Sequence, residues 1–145
     1  MRQLRRTLRF WLISLFAMLC LAAASAPGAW AQAINCSAKV ELEQGSPKKL
    51  QNIAHSVLKK QYPYLVGQEG ADMAMISLGE IKRVQRLQEE DKGDMIGLLI
   101  FEVETASGEK KKLGLNGSTF LVGKGPGGAE RIPFAGIKEI AITCP

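Results

Sequence analysis

Two cysteines bracket almost all of the chain that follows its apolar N-terminal segment. These are Cys36 and Cys144, and the third cysteine, Cys20, lies inside that segment. An even pair in an exported protein is typical of a disulfide, which here would close a loop of about a hundred residues and stabilise the fold by about 4 to 5 kcal/mol. Free thiols or a metal-binding pair are the alternatives, but the additional ligands that a metal needs are missing. The cysteines therefore predict that the first and last strands lie side by side or face each other across a core.

The N-terminus has the pattern of a secretory signal peptide. Four arginines within the first nine residues precede an uncharged run over residues 10–24 that is apolar except for Ser14, and small residues then flank Trp30. This run is shorter than the ~20 residues that a membrane-spanning helix needs. We predict cleavage after Ala31 or Ala33. Residues 1–33 would then be a cleaved signal peptide, and residues 34–145 would form a single compact β-rich domain in a secreted or periplasmic protein.

The charge of the chain must be read after this segment is removed. The whole chain has 19 basic and 14 acidic residues, but the first 33 residues contain four of the basic ones and none of the acidic ones. The remaining 15 basic and 14 acidic residues nearly cancel. Because nucleic-acid binding needs a basic face on the folded domain, that class of partner is excluded. No stable membrane span is expected after cleavage.

The first part of the domain shows one strand pattern and one helix pattern. In residues 37–43, Val40 and Leu42 alternate with charged residues, as in a half-buried strand. Residues 45–63 then have helix signals, with a capping Ser46, Pro47 at the first helical position and Pro63 beyond the end, and their apolar positions follow helical spacing. Those positions are Leu50, Ile53, Ala54, Val57 and Leu58. We therefore predict an amphipathic helix packed on a sheet.

From Met95 onward, short apolar runs recur about every ten residues with turn residues between them. Ser107-Gly108 separates two of these runs, and Asn116-Gly117, a pair that favours a two-residue hairpin turn, separates the next two. The expected fold class is mainly β (α+β). Its architecture would be a small antiparallel barrel or sandwich-like meander with one packed amphipathic helix near the N-terminus.

A short motif occurs twice, as MISLGEIKRV in residues 75–84 and as RIPFAGIKEI in residues 131–140. Ile132 and Phe134 have strand spacing, whereas Ile137 and Ile140 are three residues apart. The second copy therefore predicts a tight turn at residues 135–138, after which the strand resumes. The first copy predicts either an equivalent corner or a helix, because residues 80–90 also have helix propensity. Since the shared residues are mostly apolar, we interpret the repeat as scaffold.

Motifs of common enzymes are missing. The chain contains no G-x-S-x-G, H-E-x-x-H or C-x-x-C sequence, and His55 is its sole histidine, expected to be exposed on the predicted helix. We therefore predict no catalytic residue, no resident metal and no cofactor. Converging carboxylates, such as Glu102 or Glu104, would be the minimum sign of an enzyme.

One combination of residues could bind a soft metal. Met73 and Met75 would share a strand face and, together with His55 or Met95, could hold Cu(I). Methionine is, however, more often a gap-filler in a core.

The sequence is best interpreted as an exported, non-enzymatic binding or envelope-assembly module for an unknown protein or envelope partner. Sheet edges would offer the binding surface, since an exposed strand can pair with an extended peptide. The alternative is a copper or small-ligand carrier using Met73, Met75 and His55. An enzyme of unrecognised type ranks last.

Overall fold

The computed structural model describes residues 33–88 and 97–145, so the predicted signal peptide lies outside the described residues except for Ala33. Within these ranges the chain forms eleven strands and two single-turn 3-10 segments. The strands are β1 (Ile34–Leu42), β2 (Lys48–Val57), β3 (Lys60–Tyr62), β4 (Tyr64–Glu69), β5 (Asp72–Ser77), β6 (Ile81–Arg86), β7 (Leu99–Thr105), β8 (Lys110–Leu115), β9 (Phe120–Gly125), β10 (Gly128–Pro133) and β11 (Ile137–Thr143). The 3-10 turns, Leu78–Glu80 and Phe134–Gly136, join β5 to β6 and β10 to β11.

All of these strands belong to one open antiparallel sheet. Its order is β10-β9-β2-β1-β11-β6-β7-β8-β4-β5, and β3 pairs with the end of β2. Alternate side chains form the core, and Val40, Leu50, Phe101 and Ile137 are among those with no exposed surface. The prediction of a mainly β fold with antiparallel strands is therefore confirmed. The expected barrel or sandwich-like meander is not formed, because the sheet is open and β8 and β9 are consecutive in the chain but not adjacent in the sheet.

The predicted helix within residues 45–63 is wrong, because this segment forms β2 and β3. Asn52 adopts a positive φ of 52°, and the pairing register of β2 shifts next to it, between Gln51 and Ala54. Such a bulge adds an unpaired residue to a strand. Leu50 and Ile53, both fully buried, are therefore three residues apart instead of two. The bulge reproduces the spacing of a helical face in an extended chain.

The predicted hairpin at Asn116-Gly117 is also wrong. The side-chain Oδ1 of Asn116 accepts a hydrogen bond from the backbone N–H of Ser118 at 3.0 Å, and its carbonyl oxygen accepts one from the N–H of Thr119 at 3.1 Å. Neither Asn116 nor Gly117 has the positive φ that a two-residue hairpin turn requires. The turn directs β9 to pair with β2 instead of with β8. By contrast, Ser107-Gly108 does lie in a hairpin, between the paired strands β7 and β8.

A disulfide ties the first strand to the last. β1 and β11 are antiparallel neighbours in which Ser37 pairs with Thr143, and Cys36 directly precedes Ser37 while Cys144 directly follows Thr143. The two cysteines form the bond, with their Cα atoms 4.3 Å apart. The predicted pairing and the side-by-side arrangement of the strands are therefore confirmed.

The repeated motif forms two matching corners. In both copies an edge strand ends in a 3-10 turn and resumes as a strand, and the residue after the turn has nearly the same backbone angles, φ −92° and ψ 129° at Ile81 and φ −93° and ψ 129° at Ile137. Leu78 and Phe134 fill equivalent buried positions. The turn predicted at residues 135–138 lies one residue earlier, at Phe134–Gly136, and the first copy, for which a corner and a helix were the alternatives, forms a corner and continues as a strand through Arg86.

The equivalence of the two corners extends through the whole sheet. A shift of 56 residues relates β4 to β9 and β5 to β10, with identical bounds. The first two strands of each half correspond as well, since Ala38 pairs with Leu50 as Phe101 pairs with Leu113. The equivalent residues Val84 and Ile140 face each other where β6 pairs with β11. The sheet thus consists of two halves, β1–β6 and β7–β11, related by an approximate twofold axis.

Equivalent glycines occupy the same tight position in the two halves. A Cβ added at Gly67 would lie 2.9 Å from the carbonyl oxygen of Gly114, and one added at Gly123 would lie 2.9 Å from that of Gln51. No side chain fits at that distance from backbone. Both glycines therefore permit the close contact between strands of opposite halves.

Candidate functional site

The two halves differ most between β2 and β4. Pro63 and Thr119 are equivalent, because each accepts a hydrogen bond from the first residue of its half's 3-10 turn, at 2.9 and 3.0 Å. The segments that immediately precede them differ in length, because the first half has residues 53–62 where the second half has only residues 116–118. We call residues 53–62 the extra segment. It extends β2 beyond its counterpart β8 and adds the short strand β3.

His55 lies in the extra segment and is fully buried, so the expectation that it is exposed is wrong. Its Nδ1 accepts a hydrogen bond from the backbone N–H of Val66 at 3.0 Å. Its Nε2 donates to Thr119 Oγ1 at 2.9 Å, because that hydroxyl already donates to the carbonyl oxygen of Asn116 at 2.7 Å. The Phe134 ring and the imidazole pack in a T-shaped arrangement, with centroids 5.0 Å apart. His55 thus joins β2 to β4 as a neutral imidazole with both nitrogens occupied.

Burial lowers the pKa of His55 from 6.5 to about 4. No carboxylate is among its hydrogen-bonding or ring contacts in the described chain, so no nearby charge offsets the cost of protonation. The folded protein binds this proton less readily than the unfolded chain does.

Acidification is therefore expected to destabilise the protein through His55. Its contribution is fully present above pH 6.5 and is lost as the pH falls from 6.5 towards about 4, amounting to about 3 kcal/mol of unfolding free energy. Urea denaturation of the wild type and of His55→Gln across this range measures the difference, since glutamine retains a donor and an acceptor but does not titrate. Parallel pH profiles for the two proteins would contradict the assignment.

Two clefts adjoin the extra segment. The first, called the tip cleft, has a volume of about 420 Å³; Lys59, Arg131, Ser56, Ser118, Leu58 and Phe120 are among its lining residues. No carboxylate is among the described residues that line it. The second, called the seam cleft, has a volume of about 200 Å³ and is mainly apolar, with Val57, Val66, Met73 and Leu98 in its wall. The clefts are neighbours, because Val57, Asn116 and Thr119 line both of them.

The two ends of the sheet are equivalent strands with different residues. Met75 of β5 corresponds to Arg131 of β10, and Ser77 corresponds to Pro133. Charged side chains and proline protect edge strands from unwanted pairing. The Arg131 guanidinium lies 4.3 Å from the centroid of the Phe120 ring, and Pro133 has no N–H to donate. β10 is therefore protected where β5 is not.

The open side of β5 presents apolar side chains and backbone hydrogen-bonding groups. Because the Val66 N–H donates to His55, the opposite pair Val66–Met75 is not hydrogen-bonded across β4 and β5. The N–H and C=O of Met75 therefore point away from β4, and by alternation so do those of Met73 and Ser77. No described strand pairs with this side of β5. Met73 and Met75 are 71% and 60% exposed.

The residues of the copper hypothesis occupy different environments. Met73 and Met75 are exposed on β5, whereas His55 is buried with both ring nitrogens in hydrogen bonds, so a metal at its nitrogen would have to displace Val66 or Thr119. In the part of the chain that the structure describes, no group of three or more His, Cys, Asp or Glu residues is arranged to hold a metal.

The carboxylates that would be the minimum sign of an enzyme are in surface ion pairs. Glu102 lies 3.7 Å from the Nζ of Lys110, and Glu104 lies 4.0 Å from that of Lys82.

A helix with the length and apolar character needed to cross a membrane does not occur in residues 33–88 or 97–145.

Comparison with known proteins found no match among protein-family models, curated proteins or solved structures.

Proposed function

We propose that this is an exported, non-enzymatic binding module that captures an extended segment of a partner protein by strand addition to β5. The observation that carries the proposal is the contrast between two equivalent edges, one closed by Arg131 and Pro133 and the other open at Met75 and Ser77. Strand addition uses main-chain hydrogen bonds for affinity and alternate side chains for specificity. Export agrees with the arginine-rich apolar N-terminus and with the disulfide.

Charge defines the partner segment further. Glu69 and Asp72 lie at one end of β5 and Glu80 at the other, and residues 69–80 contain no lysine or arginine. A second copy of β5 paired antiparallel would bring these acidic ends together. A partner strand with alternating apolar residues and basic ends would instead complement both the methionines and the carboxylates.

The proposal is tested with a synthetic peptide in which valine and threonine alternate between pairs of lysines. We expect saturable binding that protects the backbone amides of Met73, Met75 and Ser77 from hydrogen exchange. The variant Met75→Arg/Ser77→Pro, which carries the residues of β10, should bind at least about tenfold more weakly. A peptide with glutamates in place of the lysines should also bind more weakly.

Ala129→Arg is the matched control, because it adds a charge at the β10 position equivalent to Met73. It should leave peptide binding unchanged. Absence of saturable binding, or binding that Met75→Arg/Ser77→Pro retains, would reject strand addition at β5. A protein dimer that the same variant dissolves would show instead that β5 pairs with a second copy.

A further inference from the structure

The tip of the β2–β3 hairpin combines two features that do not help the fold. Leu58 and Lys59 form its two-residue turn with positive φ angles of 50° and 66°. Asparagine and glycine are the residues that suit such a turn, whereas a bulky side chain at positive φ is strained. Leu58 is also 92% exposed, so it gains nothing from packing. Strain of this kind is characteristic of functional positions.

The surroundings of Leu58 are cationic. Lys59 and Lys60 follow it in the chain and are both exposed, and Arg131 lines the same tip cleft. The hairpin over residues 57–62 contains no acidic residue. An exposed leucine therefore projects beside three positive charges.

We infer that this tip docks on an anionic phospholipid surface. Leu58 enters the boundary between headgroups and acyl chains, while Lys59, Lys60 and Arg131 contact the headgroup phosphates. Lysine and arginine near an anionic leaflet each add to the attraction, and an apolar side chain adds by insertion. A two-residue turn is too narrow to bury the ~800 Å² per partner of a stable protein interface, which favours a lipid surface as the occupant. This inference does not depend on the proposed strand addition at β5.

The variant Leu58→Asn/Lys59→Gly separates a binding role from a structural one. It introduces the residue pair that the turn geometry prefers, so the midpoint of thermal unfolding should be unchanged or raised. The same change removes the inserting side chain and one charge. A purely structural turn would have residues that suit its positive φ angles, and Leu58 and Lys59 do not suit them.

Flotation of the disulfide-intact protein with vesicles provides the measurement. We expect salt-sensitive association with phosphatidylcholine vesicles containing about one-third phosphatidylglycerol, and much weaker association with phosphatidylcholine alone. Leu58→Asn/Lys59→Gly should reduce the association at least about tenfold. Lys49→Gln, which removes one exposed charge from β2 away from the tip cleft, is the control and should change it little. No association with anionic vesicles, or association that the tip variant retains, would overturn the inference.

Discussion

Reduction of the disulfide between Cys36 and Cys144 is expected to lower the free energy of unfolding by about 4 to 5 kcal/mol. The bond closes a loop with a sequence separation of 108 residues, so its loss restores much conformational freedom to the unfolded chain. It also holds β1 against β11, which are adjacent interior strands of the sheet. Urea denaturation of the oxidised and reduced protein measures the difference.

The double variant Cys36→Ala/Cys144→Ala should match the reduced wild type and should not respond to reductant. A reduced protein as stable as the oxidised one would contradict this expectation. Loss of stability on adding reductant to the double variant would trace the effect to something other than the bond.

Replacement of Phe134 by alanine is expected to cost about 3 to 5 kcal/mol of unfolding free energy. Phe134 has no exposed surface, and its ring makes edge contacts with His55 and Phe101, at centroid distances of 5.0 and 5.8 Å. Its removal leaves a cavity where the second corner, the extra segment and β7 meet. Urea denaturation at neutral pH, where His55 is uncharged, measures the loss.

Phe134→Leu is the matched variant, because the equivalent position in the first corner is Leu78, which is also buried. It should cost clearly less than Phe134→Ala, since leucine fills most of the space. A cost below about 1 kcal/mol for Phe134→Ala, or equal costs for the two variants, would show that the corner tolerates a cavity.

Features that depend on neighbouring residues could be predicted from the sequence, whereas features that depend on distant segments could not. The second corner could be predicted because Ile132 and Phe134 have strand spacing whereas Ile137 and Ile140 are three residues apart. The first copy left a corner and a helix as alternatives, because its residues also have helix propensity. The helix prediction within residues 45–63 is wrong because the bulge at Asn52 gives Leu50 and Ile53 the three-residue spacing of a helical face. A bulge depends on the partner strands, which periodicity within one segment does not report.

The candidate site was only partly visible in the sequence. Met73 and Met75 were recognised, but as metal ligands and not as the side chains of an open edge. The contrast with β10 could have been found, because aligning the two motifs places Met75 against Arg131 and Ser77 against Pro133. Its meaning depends on knowing that both strands end the sheet.

The sequence by itself determined the mainly β character, the joining of the chain's ends and the second corner. Alternation and short apolar motifs act between neighbouring residues, and after removal of the N-terminal segment each of the two remaining cysteines has a single possible partner. Only the tertiary structure decided that β2 pairs with β9 and β4 with β8 across the two halves, that His55 is buried and neutral, and that β5 is an open edge. These properties arise from contacts between segments far apart in the chain, where burial and pairing override the preferences of each segment alone.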